Sequence, residues 1–458
     1  MLSTSFPFAN KRIPTFILLV LVSSITLIMS TAVTTASGTY EQKRLFAQRY
    51  WTSDWNDFEA PTTMLCQRKL AMSCYSPQDM RMAYNLDSLV NRSYDGKGQN
   101  IVIIASYGSP TAQADLQRFD ADYGLPDPPS FQQIAPYGSV TFNPDDEEQV
   151  KWAEETSLDI QWAHAMAPGA GIIVLTSAVD ETQGIQGMPE FLALEKYALE
   201  HHLGNIISQS WSTTENTLFT PDGSKVLNDF ENFFRDAATQ HITVLASAGD
   251  SGSENVDVNG NTYTFPTVGY PASSPWVTAV GGTTLHMDTN SNYQYETVWN
   301  SGPGSATGGG ISQYFPEPDY QRSSLHQSTQ QLLNGHRGVP DVAMNADPNT
   351  AVPVYIGFKA SPGYELTGGT SESAPLWAGL IADANQFAGH PLGFLNPTLY
   401  HLGSDTQNAA KVFHDITMGN NTQGIVPGYH ATPGWDAVTG WGSPNAEPLI
   451  QALSASTQ

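Results

Sequence analysis

The sequence predicts an α/β fold, with a mainly parallel central sheet flanked by helices in three layers. Three observations point there. Short apolar runs recur along the chain, longer helical patterns lie between them, and 40% of the 458 residues are hydrophobic, enough for a sizeable core. Alternation of strand and helix implies parallel strands joined by right-handed crossovers, with helices on both faces of the sheet.

The apolar runs are Ile101–Ser106, Ile172–Thr176, Asn205–Trp211 and Ile242–Ser247, and the helical candidates are 151–166, 189–203 and 226–241. Strands of a parallel sheet bury both faces, so they run apolar rather than alternating. The stretch 252–350 is rich in Gly, Pro, Ser and Thr and reads as loops and short strands, followed by a helix from Glu372 to Ala388. Functional groups in such sheets collect just past the carboxyl ends of strands. Ala248-Gly249-Asp250-Ser251-Gly252 stands at one of those ends.

The N-terminus carries Lys11 and Arg12, an apolar run from Ile13 to Met29, and small residues up to Ala36. That order is that of a secretory signal, and its alternative is an uncleaved membrane anchor. The expected organisation is a signal or anchor over 1–36, a short extension of uncertain structure over 37–74 and one domain over 75–458, with the product secreted and monomeric. Cys66 and Cys74 would suit a small disulfide loop in an exported protein. No His cluster flanks them, which argues against zinc.

Charge narrows the partners. There are 44 acidic residues against 19 basic, a formal net charge of -25 at pH 7. Neutralising nucleic-acid phosphates needs clustered Lys and Arg, so nucleic acid is excluded as a partner. The balance suits an acid environment, where carboxylates protonate and self-repulsion fades. It also suits any acidic soluble secreted protein.

Four motifs carry chemistry. In Thr367-Gly368-Gly369-Thr370-Ser371-Glu372-Ser373-Ala374-Pro375, small residues lead to a hydroxyl at a helix start, with Pro375 placed in the first turn. Ser371 reads either as a nucleophile beside helix N–H groups or as a plain N-cap. Glu155 and Asp159 are four apart, on one face of a helix. They read either as a pair sharing a proton, able to serve as base under acid conditions, or as two solvated surface carboxylates. Asp250 would donate to an oxyanion if protonated, or else make local turn bonds. Asp415 and Asp436 flank a Gly-rich loop whose carbonyls suit calcium, or they are two turn aspartates.

Taken in order, these segments resemble the sedolisin family of serine-carboxyl peptidases, from about Tyr75 to near Gly442. Gly369-Thr370-Ser371 with Pro375 is similar to its nucleophile motif, and Glu155 and Asp159 before Ala165-Met166-Ala167-Pro168-Gly169-Ala170 are similar to its acidic pair. Ser247-Ala248-Gly249-Asp250 is similar to its oxyanion motif, and Ser208-Gln209-Ser210-Trp211 to its substrate-pairing strand; Gly308-Gly309-Gly310 with Ile311 to Pro316, and Arg337 to Asp341, are also similar. The resemblance implies a subtilisin-like fold, a Ser371, Glu155 and Asp159 catalytic set with Asp250 at the oxyanion, and substrate contacts at Ser210, Trp211, Gly308 and Gly309. It also implies one structural calcium ion held by Asp415 and Asp436 side chains and the carbonyls of Ile416, Thr432 and Gly434. Three departures stand out. The family usually carries a long prodomain, whereas about forty residues follow the signal here; Thr432 stands where Gly is frequent, and Ser212 where Gly is usual.

The expected function is an acid-active endopeptidase acting on proteins or peptides through an acyl-enzyme. Its rivals are a tripeptidyl-peptidase of the same family, a non-catalytic calcium-stabilised binding protein, and a neutral protease using His164 as base.

Overall fold

The computed structural model describes residues 59–288 and 290–456, together with the backbone of Arg49–Tyr50. The expected signal segment, and residues 37–48 and 51–58 of the expected extension, lie outside the described residues.

The stretch just before residue 75 is part of the domain. Helix α1 (Thr63–Leu70) is capped by the Thr62 hydroxyl, which accepts from Leu65 N. Ser73–Cys74 then pairs in parallel with Thr350–Ala351. Cys66 and Cys74 form a disulfide, and both are fully buried. The uncertain structure expected for 37–74 is therefore a packed helix and strand at its C-terminal end.

From there strands and helices alternate: β1 (Asn100–Ser106), α2 (Ala112–Tyr123), β2 (Phe131–Ile134), α3 (Glu147–Met166), β3 (Gly171–Ser177), α4 (Met188–Glu200), β4 (Ile206–Gln209), α5 (Pro221–Thr239) and β5 (Thr243–Ser247). The strands β6 (Thr278–Met287), β7 (Tyr293–Val298) and β8 (Val342–Asn345) follow, then the hairpin β9 (Thr350–Ile356) and β10 (Gly363–Thr367), helix α6 (Thr370–Ala388) and helix α7 (Ala446–Ser456). The central sheet has eight strands, with path β7-β6-β5-β4-β1-β3-β2 and β8 beside β6. Only β6 with β7 is antiparallel; the other pairs are parallel. In the middle, Ile101 of β1 stands opposite Ile172 of β3 and Ile206 of β4.

The stretch 252–350 holds more than loops and short strands. It contributes β6, ten residues long, which joins β5, β7 and β8 in the central sheet.

Helix α3 explains how the site is placed. Asp146 caps it by accepting from Glu148 N and Gln149 N, and Glu147 and Glu148 set negative charge at its positive end. Every residue from Trp152 to Met166 is buried. A helix buried all round belongs inside a protein, not on its surface. It packs along α6 and against the sheet, while α4 and α5 pack on each other and on the sheet. The result is the three-layer arrangement expected. Among the described residues no helix is long and apolar enough to cross a membrane.

Candidate active site

Strand β10 runs into the turn Gly368–Gly369 and then into α6. Gly369 has φ of 114°, a conformation side chains resist, so the turn that presents Thr370 and Ser371 depends on glycine there. Ser371 is the second helical residue and is 1% exposed. Pro375 is not in the first turn, as expected, but lies inside the helix as its sixth residue. It has no N–H to donate four residues back. The carbonyl of Ser371 therefore lacks its helical partner.

That carbonyl is met by Ser210, just past β4. Ser210 Oγ lies 3.4 Å from the Ser371 carbonyl oxygen and 2.7 Å from Asp159 Oδ1. A hydroxyl has one hydrogen to donate. It satisfies both neighbours when Asp159 is protonated: Asp159 then donates to Ser210 Oγ, and Ser210 donates to the Ser371 carbonyl. The environment favours that state. Burial first, then the charge of Glu155, push the Asp159 carboxyl well above its ordinary range, against the opposing pull of the Ser210 hydrogen bond. Both Glu155 and Asp159 are 1% exposed, so the solvated-surface reading of the pair fails.

Asp250 closes the other side of the turn. It follows β5 and is buried, with Oδ1 accepting from Thr370 N at 2.8 Å and from Thr370 Oγ1 at 2.7 Å. Gly249 N in turn donates to Thr370 Oγ1 at 3.0 Å. Asp250 Oδ2 has no hydrogen-bond partner. Burial pushes this carboxyl up to about 6, with the two bonds from Thr370 pulling the other way. Below that pH it is a neutral acid with one oxygen held in place and the other available to donate.

The expected substrate contacts divide. The Ser210 hydroxyl is engaged by Asp159, so it belongs to the acidic pair. The Trp211 ring is turned into the core against Phe191 and Phe230. Gly308 N donates to Gly249 O at 2.6 Å, and Gly309 O accepts from Asn421 Nδ2, so this stretch braces the Asp250 loop. His164 is fully buried and its Nε2 faces Asp120 at 3.2 Å and the Pro126 carbonyl, which leaves it no path to act as base for Ser371. Sequence reasoning missed Thr370 as the partner of Asp250, although its hydroxyl stood next to Ser371 in the motif. It also missed Asn345, whose amide reaches Glu372 beside Ser371.

In the C-terminal loop each expected calcium aspartate bonds to the backbone of another expected ligand residue. Asp415 Oδ2 accepts from Gly434 N, and Asp436 Oδ2 accepts from Thr432 N, each at 2.9 Å. Asp436 is 4% exposed, and burial pushes its carboxyl up to about 7 despite further bonds from Val438 N and Thr439 N. No Lys or Arg pairs with either aspartate among the described residues, where no three His, Cys, Asp or Glu side chains gather into a metal cluster either. A buried carboxylate with no cationic partner, tied to the same short stretch 432–434 as a second carboxylate, fits a hard cation that takes oxygen ligands.

A family model described as the subtilase family matches residues 138–442. The chain belongs to the subtilase family. Kumamolisin from Bacillus sp. (strain MN-32) is 38% identical over 84% of this chain and 64% of that protein. Human tripeptidyl-peptidase 1 is 31% identical over 65% of this chain and 51% of that protein. Among solved structures, Pseudomonas sedolisin, a serine-carboxyl proteinase complexed with pseudo-iodotyrostatin, superposes with a TM-score of 0.69 at 28% identity, covering 84% of this chain and 100% of that one. These relatives place this subtilase among the sedolisins. The chain spans less than two-thirds of the length of the curated relatives it matches.

Proposed function

We propose that this sedolisin is a secreted, acid-active serine-type endopeptidase that cleaves proteins or peptides, stabilised by one calcium ion. The observation that carries the reading is the setting of Ser371. A buried carboxyl pair reaches its own residue through Ser210 on one side, and Asp250 grips its neighbour Thr370 on the other.

Ser371 Oγ attacks the scissile carbonyl while Glu155 takes its proton. Asp159 orients Glu155 and, neutral in acid, leaves the pair's charge to Glu155, while its bond with Ser210 keeps the start of α6 fixed. The carbonyl oxygen becomes an oxyanion, to which neutral Asp250 donates from Oδ2. Glu155 then returns the proton to the leaving amine, and the acyl-enzyme on Ser371 is hydrolysed by water with Glu155 again as base. An imidazole would be protonated and useless in acid, whereas a carboxyl pair still holds a free acceptor. Asp415, Asp436 and the carbonyls of Ile416, Thr432 and Gly434 would hold the calcium ion. The ion would supply the positive charge that buried Asp436 lacks. The signal-like order of residues 11–36 supports export.

The likeness to tripeptidyl-peptidase 1 favours a second reading, removal of tripeptides from N-termini. A mixed peptide library incubated at pH 4, with product ends identified by mass spectrometry, separates the two. Internal cuts support the endopeptidase. Products that are all N-terminal tripeptides support the second reading, and no cleavage from pH 2 to 8 overturns both.

A further inference from the structure

The first turn of α6 is held by three buried attachments. Thr370 is gripped by Asp250. The Ser373 hydroxyl lies within hydrogen-bond distance of the carbonyls of Met344 and Asn345 in β8. Between them, Glu372 is 0% exposed and its Oε1 accepts from Asn345 Nδ2 at 2.8 Å. Ser371 is the one residue of the four whose side chain is left for chemistry.

Asn345 is a rigid anchor. Its Nδ2 also donates to the Thr350 carbonyl, its Oδ1 accepts from Thr350 Oγ1 and Leu285 N, and its N–H donates to the Tyr84 hydroxyl. Tyr84 donates in turn to Glu296 Oε1. Glu372 therefore ties the nucleophile's turn to a fully bonded point in the central sheet.

A carboxyl in that place is costly. Burying one without a cation is disfavoured, and no Lys or Arg pairs with Glu372 among the described residues, while Oε2 has no hydrogen-bond partner. The charged group that acts on it is Asp347 after β8, and Tyr84 and Glu296 stand behind Asn345. None of them offers a positive charge. Burial pushes its carboxyl well above the ordinary range, against the pull of the Asn345 hydrogen bond and with a smaller push from Asp347, so it stays neutral in the acid range where the enzyme is proposed to work. A surface acid would serve the helix dipole as well. The burial makes sense as attachment.

We propose that Glu372 is a positioning residue for Ser371, holding the first turn of α6 in register with β8 through its hydrogen bond from Asn345. This rests on the reading of Ser371 as nucleophile. A small displacement of a reacting group costs far more rate than binding. Glu372→Ala is expected to lower kcat about tenfold or more, with KM within about twofold. Glu372→Gln keeps the acceptor oxygen and the shape, and retains most of the wild-type kcat. Glu372→Met fills the same space without the acceptor. It is expected to match the Ala variant, and it carries the test if the Ala variant does not fold.

The measurement is kcat and KM of each folded variant on one quenched fluorescent peptide at pH 4, beside wild type and Ser371→Ala. Wild-type kcat in the Ala or Met variant overturns the proposal, as does equal loss in the Gln variant. If that happens while wild type turns over and Ser371→Ala does not, the nucleophile reading stands. No turnover by wild type overturns both.

Discussion

Asp250 offers the sharpest handle on the proposed chemistry. Its Oδ1 takes both hydrogen bonds from Thr370, and its Oδ2 has none. An asparagine fits this arrangement atom for atom: the amide oxygen takes the Oδ1 role and the NH2 stands where Oδ2 was. The amide donates at every pH, whereas the acid donates only while protonated. With its carboxyl near 6, Asp250 is almost fully neutral at pH 4, and about one molecule in ten is neutral at pH 7. Wild type should therefore lose about tenfold in kcat from this group between those pH values. Asp250→Asn should flatten that limb while keeping substantial activity at pH 4. Asp250→Ala removes the donor altogether and should lose about a hundred- to a thousandfold in kcat at pH 4, or roughly 2.7–4 kcal/mol of transition-state stabilisation. The assay is kcat on a quenched fluorescent peptide from pH 3 to 8. A decline near pH 6 that is unchanged in the Asn variant would rule Asp250 out as the titrating donor, as would an Ala variant with wild-type kcat.

Other outcomes follow from the same geometry. Ser210→Ala leaves the Ser371 carbonyl without a donor, since Pro375 supplies none, and should lower kcat about tenfold or more with KM little changed. A rise in KM at constant kcat would instead favour the substrate contact first expected of Ser210. Chelation with EDTA at pH 6 should lower Tm by about 5 °C or more, with recovery on adding calcium but not magnesium. Asp436→Ala should remove that calcium response, and a Tm indifferent to chelator would count against the ion.

The helices and core strands were legible because their patterns are local. Helix α3 was expected over 151–166 and begins at Glu147, because the Asp146 cap and two acidic residues open it before its buried part. Strand β6 was not legible. Its run Thr278–Met287 is interrupted by Gly281 and Gly282. The reason for the second lies elsewhere in the chain: a Cβ on Gly282 would sit 2.5 Å from the Ala346 Cβ and 2.9 Å from the Trp299 ring. The disulfide was left open by the sequence, because pairing depends on how α1 returns against the strand at Ser73–Cys74.

At the site, the four residues carrying the proposed chemistry were named from sequence order. What sequence could not supply was their surroundings. The contact from Ser210 to Asp159 spans 51 residues, and that from Asp250 to Thr370 spans 120. Pro375 looked like a first-turn proline because the helix was expected to start at Glu372. Starting it at Thr370 turns the same proline into the cause of an open carbonyl at Ser371.

Ser371 is proposed here as the nucleophile of an acid peptidase. Its most direct test compares the full chain with Ser371→Ala on a protein substrate at pH 4, with folding of both confirmed by circular dichroism and new termini counted by mass spectrometry. Cleavage by wild type and none above background by the folded variant is the expected result. Substantial cleavage by Ser371→Ala would contradict it.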